Sequence, residues 1–132
     1  MSKEFFWLML TIVLTGLMWI PYILDRAAVR GMADAMGNPG ADDKPQSPWA
    51  QRMMAAHANA VENLVLFAPL VLIANALNIS SGVTVGACAI YFWARLAHLI
   101  VYTLGIPVLR TLCWTIGWFC LLALVLAIFR VV

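Results

Sequence analysis

Charge is scarce in this chain. Asp, Glu, Lys and Arg together make up 11% of its 132 residues, against about a quarter in an ordinary soluble domain. That shortage excludes a soluble enzyme or binding domain. The formal net charge is only +2, and the basic residues form no run or arm. A nucleic-acid partner is therefore not expected. Cysteine is sparse too: Cys88, Cys113 and Cys120 all fall in apolar stretches, with no CxxC and no Cys/His metal spacing. No metal site and no disulfide framework is expected from them. The motifs GxSxG, HExxH, GxGxxG and the phosphate loop are missing as well, which removes the hydrolases, zinc proteases and nucleotide binders that depend on them. No internal repeat offers the lining of a pore, so a channel is poorly supported. The N-terminal stretch has no small-x-small cleavage site after its apolar run and is too long for a typical signal peptide. It reads as a retained membrane helix.

What remains is hydrophobic. The composition is 64% apolar with a mean hydropathy of +0.93, as expected of an integral membrane protein of one domain spanning residues 1–132. Apolar segments of spanning length run from about Phe5 to Leu24, Trp49 to Leu77, Val83 to Leu104 and Pro107 to Val131. Backbone groups in lipid must be satisfied within the segment, so each should be a helix. The fold class is thus an all-α, four-transmembrane-helix bundle.

Turn chemistry supports these boundaries. Ser47-Pro48 has the pattern of an N-cap and first helical residue. Gly105-Ile106-Pro107 closes the third helix and opens the fourth. Pro69, inside the second, removes a backbone hydrogen bond and should kink it. The stretch from Arg26 to Pro48, rich in Gly, Pro and Asp, reads as the one long loop. Arg26, Arg30, Lys44 and Arg52 lie on that side, with Arg95 and Arg110 close to it. The terminal side carries only Lys3 and Arg130. The positive-inside rule then places the long loop in the cytoplasm and both termini outside.

Two polar stripes interrupt the apolar helices. Arg52, Asn59, Glu62 and Asn63 fall within an arc of about 100° on the second helix, while His57 points away. Arg95, His98 and Tyr102 fall within about 60° on the third. Arg110 follows a tight turn and should lie near Tyr102, since short connections bring antiparallel helices side by side. An ionisable residue in a bilayer needs a partner or a wet cavity. Glu62 is expected to pair with Arg95 or Arg110, or to accept from the ammonium of a ligand. Arginines at such a cleft bind carboxylates and stabilise a thiolate. Two readings of the stripes stay open at this stage: a site for a small zwitterionic molecule beside an apolar one, and polar glue between helices or subunits.

The stretch Arg52-MMAAHANAVEN-Leu64, continuing to VLFAP, resembles the signature of the MAPEG family, the membrane-associated proteins in eicosanoid and glutathione metabolism. The stretch Arg95-LAHLIVY-Thr103, followed by LGIPVLRTLCW, resembles the third helix and the start of the fourth in the same family. The compact chain looks more like the family's bacterial members. The resemblance implies a homotrimer with a glutathione site between neighbouring subunits near the cytoplasmic face. It implies that Asn59 and Glu62 hold the backbone groups of glutathione, and that His98 and Tyr102 line the pocket. Arg110 would stabilise the thiolate as the catalytic residue, and Arg52 and Arg95 would support the polar core. Arg26 or Arg30 would reach a glutathione carboxylate. Ala55 and Ala58 depart from the pattern, standing where several animal members have arginines, and Trp114 stands where some have tyrosine. The expected function is a glutathione-dependent transferase or peroxidase acting on lipophilic electrophiles in a bacterial inner membrane. The alternatives are a non-catalytic protein that binds a lipid or small molecule, and a structural membrane protein.

Overall fold

The structure, a computed structural model, describes residues 1–130. It is helical throughout, in the order α1 (Lys3–Leu17), α2 (Trp19–Arg30), α3 (Met32–Met36), α4 (Pro48–Ala76), α5 (Gly82–Leu104) and α6 (Pro107–Ile128). Four stretches are long and apolar enough to cross a membrane: α1 with α2, then α4, α5 and α6. The expected end of the last helix at Val131 lies outside the described residues.

The first span is interrupted at Met18, whose N–H bonds back only to Thr15. Pro21 is the cause: it has no N–H for the Leu17 carbonyl, and its ring crowds that carbonyl. α4, by contrast, is one helix from Pro48 to Ala76 with Pro69 in its interior. The long loop is shorter than the composition implied. Helix continues through Ala27-Ala28-Val29 to Arg30, so Arg26 and Arg30 stand on α2 rather than on a loop. Gly31 ends it with φ of 82°, and α3 adds a further turn before Gly37.

The helix ends show one expected cap, at Gly105, and one the sequence reading did not name. Ser81 and Thr84 form a reciprocal capping box at the start of α5. Gly105 closes α5 in the left-handed region with φ of 80°, where a side chain is strained. Ser47 holds the N-cap position of α4 but does not cap it with its side chain. Its hydroxyl donates instead to Asp25 Oδ1, and its N–H donates to Asp25 Oδ2 at 3.0 Å. Asp25 thereby ties α2 to the start of α4.

α5 is the centre of the bundle and packs on α1, α4 and α6. The core joins Leu8, Phe67, Val71, Cys88, Leu121 and Leu124. Within it the Tyr91 ring stacks on Phe67 at 3.9 Å between centroids. A smaller cluster of Met18, Ala56 and Ala60 lets α4 approach the bend of the first span through small side chains.

Candidate functional site

α5 carries its polar groups on its buried face. Ser81, Thr84, Cys88, Tyr91, Arg95, His98 and Tyr102 alternate steps of three and four, the spacing that keeps one helical face turned inward. Thr84, Cys88, Tyr91, Arg95 and His98 are all buried.

Arg95 is the most demanding of them, a guanidinium only 4% exposed. Its NH2 donates to Asn59 Oδ1 at 2.8 Å and meets His98 Nδ1 at 2.9 Å. Arginine can only donate, so His98 Nδ1 accepts, and the ring proton of the neutral imidazole is on Nε2. Asn63 Nδ2 donates to the Asn59 backbone carbonyl at 2.8 Å and reaches the Asn59 Oδ1 at 3.4 Å. Arg95 Nε and NH1 have no partner, and neither does the buried Tyr91 hydroxyl. The core thus holds a charged donor group matched only in part and by neutral acceptors.

A groove of about 250 Å³ opens beside this network, lined by Asn59, His98, Tyr102, Arg110, Thr111 and Trp114. The Arg110 guanidinium carbon lies 4.4 Å from the Tyr102 ring centroid. Tyr102 in turn meets the His98 ring edge-on at 5.4 Å. A cation over an aromatic face is held in place while its N–H edges stay free to donate. The Gly105 turn produces this placement, because it returns the chain so that the first turn of α6 faces the last turn of α5.

The structure therefore brings together Asn59, Arg95, His98, Tyr102 and Arg110. It places the other candidates elsewhere in the chain. Glu62 is exposed and pairs with neither Arg95 nor Arg110; the ion pair found among the described residues is Arg30 with Asp43 at 3.2 Å. The expected Glu62 pairing within one chain is thus corrected. Asn59 points at α5, and Glu62, three residues on, is turned about 60° around α4. Arg52 Nε donates to the Thr103 carbonyl at 2.9 Å, closing the C-terminal end of α5 instead of facing the groove. Arg26 Nε donates to Gln46 Oε1 at 3.2 Å, and Arg30 Nε to the Lys44 carbonyl at 2.7 Å. Both arginines anchor the loop to α2. His57 turns to α2, where its Nδ1 meets the Tyr22 hydroxyl at 2.8 Å.

Reading the polar stripe from Arg95 toward Tyr102 alone overlooked its other half. The same spacing traced upstream reaches Tyr91, Cys88 and Thr84. Glu4 was also missed, because a carboxylate near a chain end looks like an ordinary first-turn charge. It is buried and accepts from Thr84 Oγ1 at 2.7 Å.

No curated protein matches the chain. The family model described as the MAPEG family matches residues 5–130. With nearly its whole length matched, and four helices fit to cross a membrane, this multi-pass membrane protein belongs to the MAPEG family.

Proposed function

We propose that the protein is a glutathione-dependent transferase or peroxidase that works on lipophilic electrophiles as a homotrimer. The observation that carries this reading is the Arg110 guanidinium, held at 4.4 Å over Tyr102 at the edge of a polar groove in an otherwise apolar bundle. The chemistry the thiol co-substrate supplies is nucleophilic attack by its ionised sulfur. Arg110 favours that ionised form, since a thiol beside a guanidinium ionises near neutral pH. His98, with its proton on Nε2, and Tyr102 bring further donors to the same groove. The Asn59 amide orients a peptide group while its Oδ1 stays bound to Arg95.

The proposed trimer follows from α4. Gln51, Ala55, Ala58, Glu62 and Val65 form one exposed face of that helix. Glu62 lies about 21 Å along α4 from Pro48, near the middle of the span. A carboxylate facing lipid at that depth costs several kcal/mol, so this face belongs against protein. Ala55 and Ala58 allow close helix approach there, as small residues do in membrane interfaces. In this reading Glu62 reaches the Arg110 groove of the neighbouring subunit, and the site is completed between chains. The two departures at Ala55 and Ala58 then mark a packing surface. The long loop, anchored by Arg26 and Arg30 of α2, faces the cytoplasm of a bacterial inner membrane, and the lipophilic partner enters from the bilayer.

Turnover of the detergent-purified protein with glutathione and an activated aryl halide tests this directly. The native chain should turn over repeatedly, and Arg110→Ala should lose about a hundredfold in kcat, the scale for removing one preorganised electrostatic donor. Full activity in Arg110→Ala would remove the assigned mechanism. Retention of a lipid with no thiol-dependent turnover would turn the reading to the binding protein.

A further inference from the structure

The bundle carries a second polar cluster at the end away from Arg110. Glu4, in the first turn of α1, is 5% exposed. Its Oε1 accepts from Ser80 Oγ at 2.8 Å and from Thr84 Oγ1 at 2.7 Å. These hydroxyls, and the N-terminal end of α5 just beyond them, stabilise the carboxylate without neutralising it. Among the described residues no cation pairs with it: the one ion pair joins Arg30 to Asp43. A buried charge is ordinarily paired. Glu4 also lines a hollow of about 190 Å³, walled by Ser2, Asn75, Asn78, Val71 and Ile79. Thr84 is separated from His98 by about 21 Å of helix rise, so this hollow and the Arg110 groove open toward different membrane faces.

We propose that the Glu4 hollow binds a primary ammonium group. Such a group has three donors and no acceptor. The hollow supplies the complement: the Glu4 carboxylate and the Asn75 and Asn78 amide carbonyls, beside a Ser2 hydroxyl that caps α1 by accepting from Phe5 N–H at 3.2 Å. Val71 and Ile79 offer an apolar wall to the methylenes next to the nitrogen, which a bare metal ion would not use. The volume is several times the roughly 30 Å³ share of one water. A quaternary ammonium, with no N–H, gains none of these hydrogen bonds. The shared chemistry comes from two sources: the headgroup of phosphatidylethanolamine at the membrane surface, or a free primary amine in solution. The proposal is independent of the thiol chemistry at Arg110.

The test uses the full-length protein and native mass spectrometry with equal amounts of phosphatidylethanolamine and phosphatidylcholine, then with free ethanolamine. The native protein should retain the ethanolamine lipid about tenfold over the choline lipid, the scale of one charge-assisted hydrogen bond. Glu4→Gln should bring that ratio to about one, because the amide oxygen still accepts from Ser80 and Thr84 but the charge is gone. Asn75→Leu fills the hollow, leaves the Glu4 hydrogen bonds in place, and should do the same; it carries the test if Glu4→Gln fails to fold. Lipid preference that ethanolamine does not displace assigns the hollow to the headgroup. Ethanolamine binding without lipid preference, lost in Glu4→Gln or Asn75→Leu, assigns it to a soluble amine. Equal retention of both lipids with no ethanolamine binding overturns the proposal, as does a preference that survives the substitutions.

Discussion

Arg95 and Arg110 are the same residue type put to different uses by burial. Arg95 is enclosed, with NH2 satisfied by Asn59 and His98 and two nitrogens unpartnered. Its role is to hold the two groove residues at fixed positions. Arg110 is half-exposed and restrained only by the Tyr102 ring, which leaves its donors available. This division leads to two expectations at the residue scale. Asn59→Ala removes one of the two acceptors of a buried charge and should destabilise the protein by about 2–3 kcal/mol, read as a lower thermal midpoint; an unchanged midpoint would contradict the network. Tyr91→Phe deletes a buried hydroxyl that has no partner and should leave the midpoint unchanged or raise it, because the orphaned group's desolvation cost of about 1–3 kcal/mol disappears. A fall of that size would mean that the hydroxyl has a partner.

At the scale of elements, the helix ends near the groove were the most readable part of the chain. Pro107 and Gly105 announce the turn between α5 and α6 by backbone chemistry alone, and the structure adds why the glycine is needed. Its φ is 80°, and a Cβ there would meet Arg52 Nε at 3.3 Å. Gly105→Ala is therefore expected to cost about 1–2 kcal/mol. Because this turn aims Arg110 at Tyr102, the loss in activity should exceed the loss in stability; a variant with native activity would show that the turn does not set the groove. The start of α4 was read correctly, but the work of Ser47 was not. Its hydroxyl goes to Asp25, a contact between residues 22 positions apart that no local pattern encodes. The loop was over-extended for a similar reason. Arg26 and Arg30 lie among residues that look like a polar connection, yet Ala27, Ala28 and Val29 sustain the helix until Gly31. The interruption at Met18 follows from Pro21, a signal present in the sequence that the reading of Pro69 left out.

At the scale of the whole molecule, the four spans were legible because lipid allows few alternatives to a helix. The fate of Glu62 was not, since an intramembrane charge announces only that something must cover it. Opposite charge inside neighbouring spans made Arg95 and Arg110 the obvious partners, whereas one chain turns Glu62 outward. The proposed trimer resolves this by covering the α4 face with a neighbour. Glu62→Leu should then leave the subunit helical, as read by circular dichroism, but remove thiol binding. Unimpaired glutathione binding in that variant would exclude Glu62 from the site. The two ends of α5 also divide the molecule by charge. A buried carboxylate at Glu4 lies at one end and arginines at the other, so one helix serves two chemically opposite surfaces.

The central claim is that Arg110 stabilises a bound thiolate, and the ultraviolet difference spectrum on adding glutathione at neutral pH tests it most directly. The account predicts a saturable thiolate band in the intact oligomer that disappears in Arg110→Ala. No band in a protein shown to be oligomeric, or an undiminished band in the variant, would contradict it.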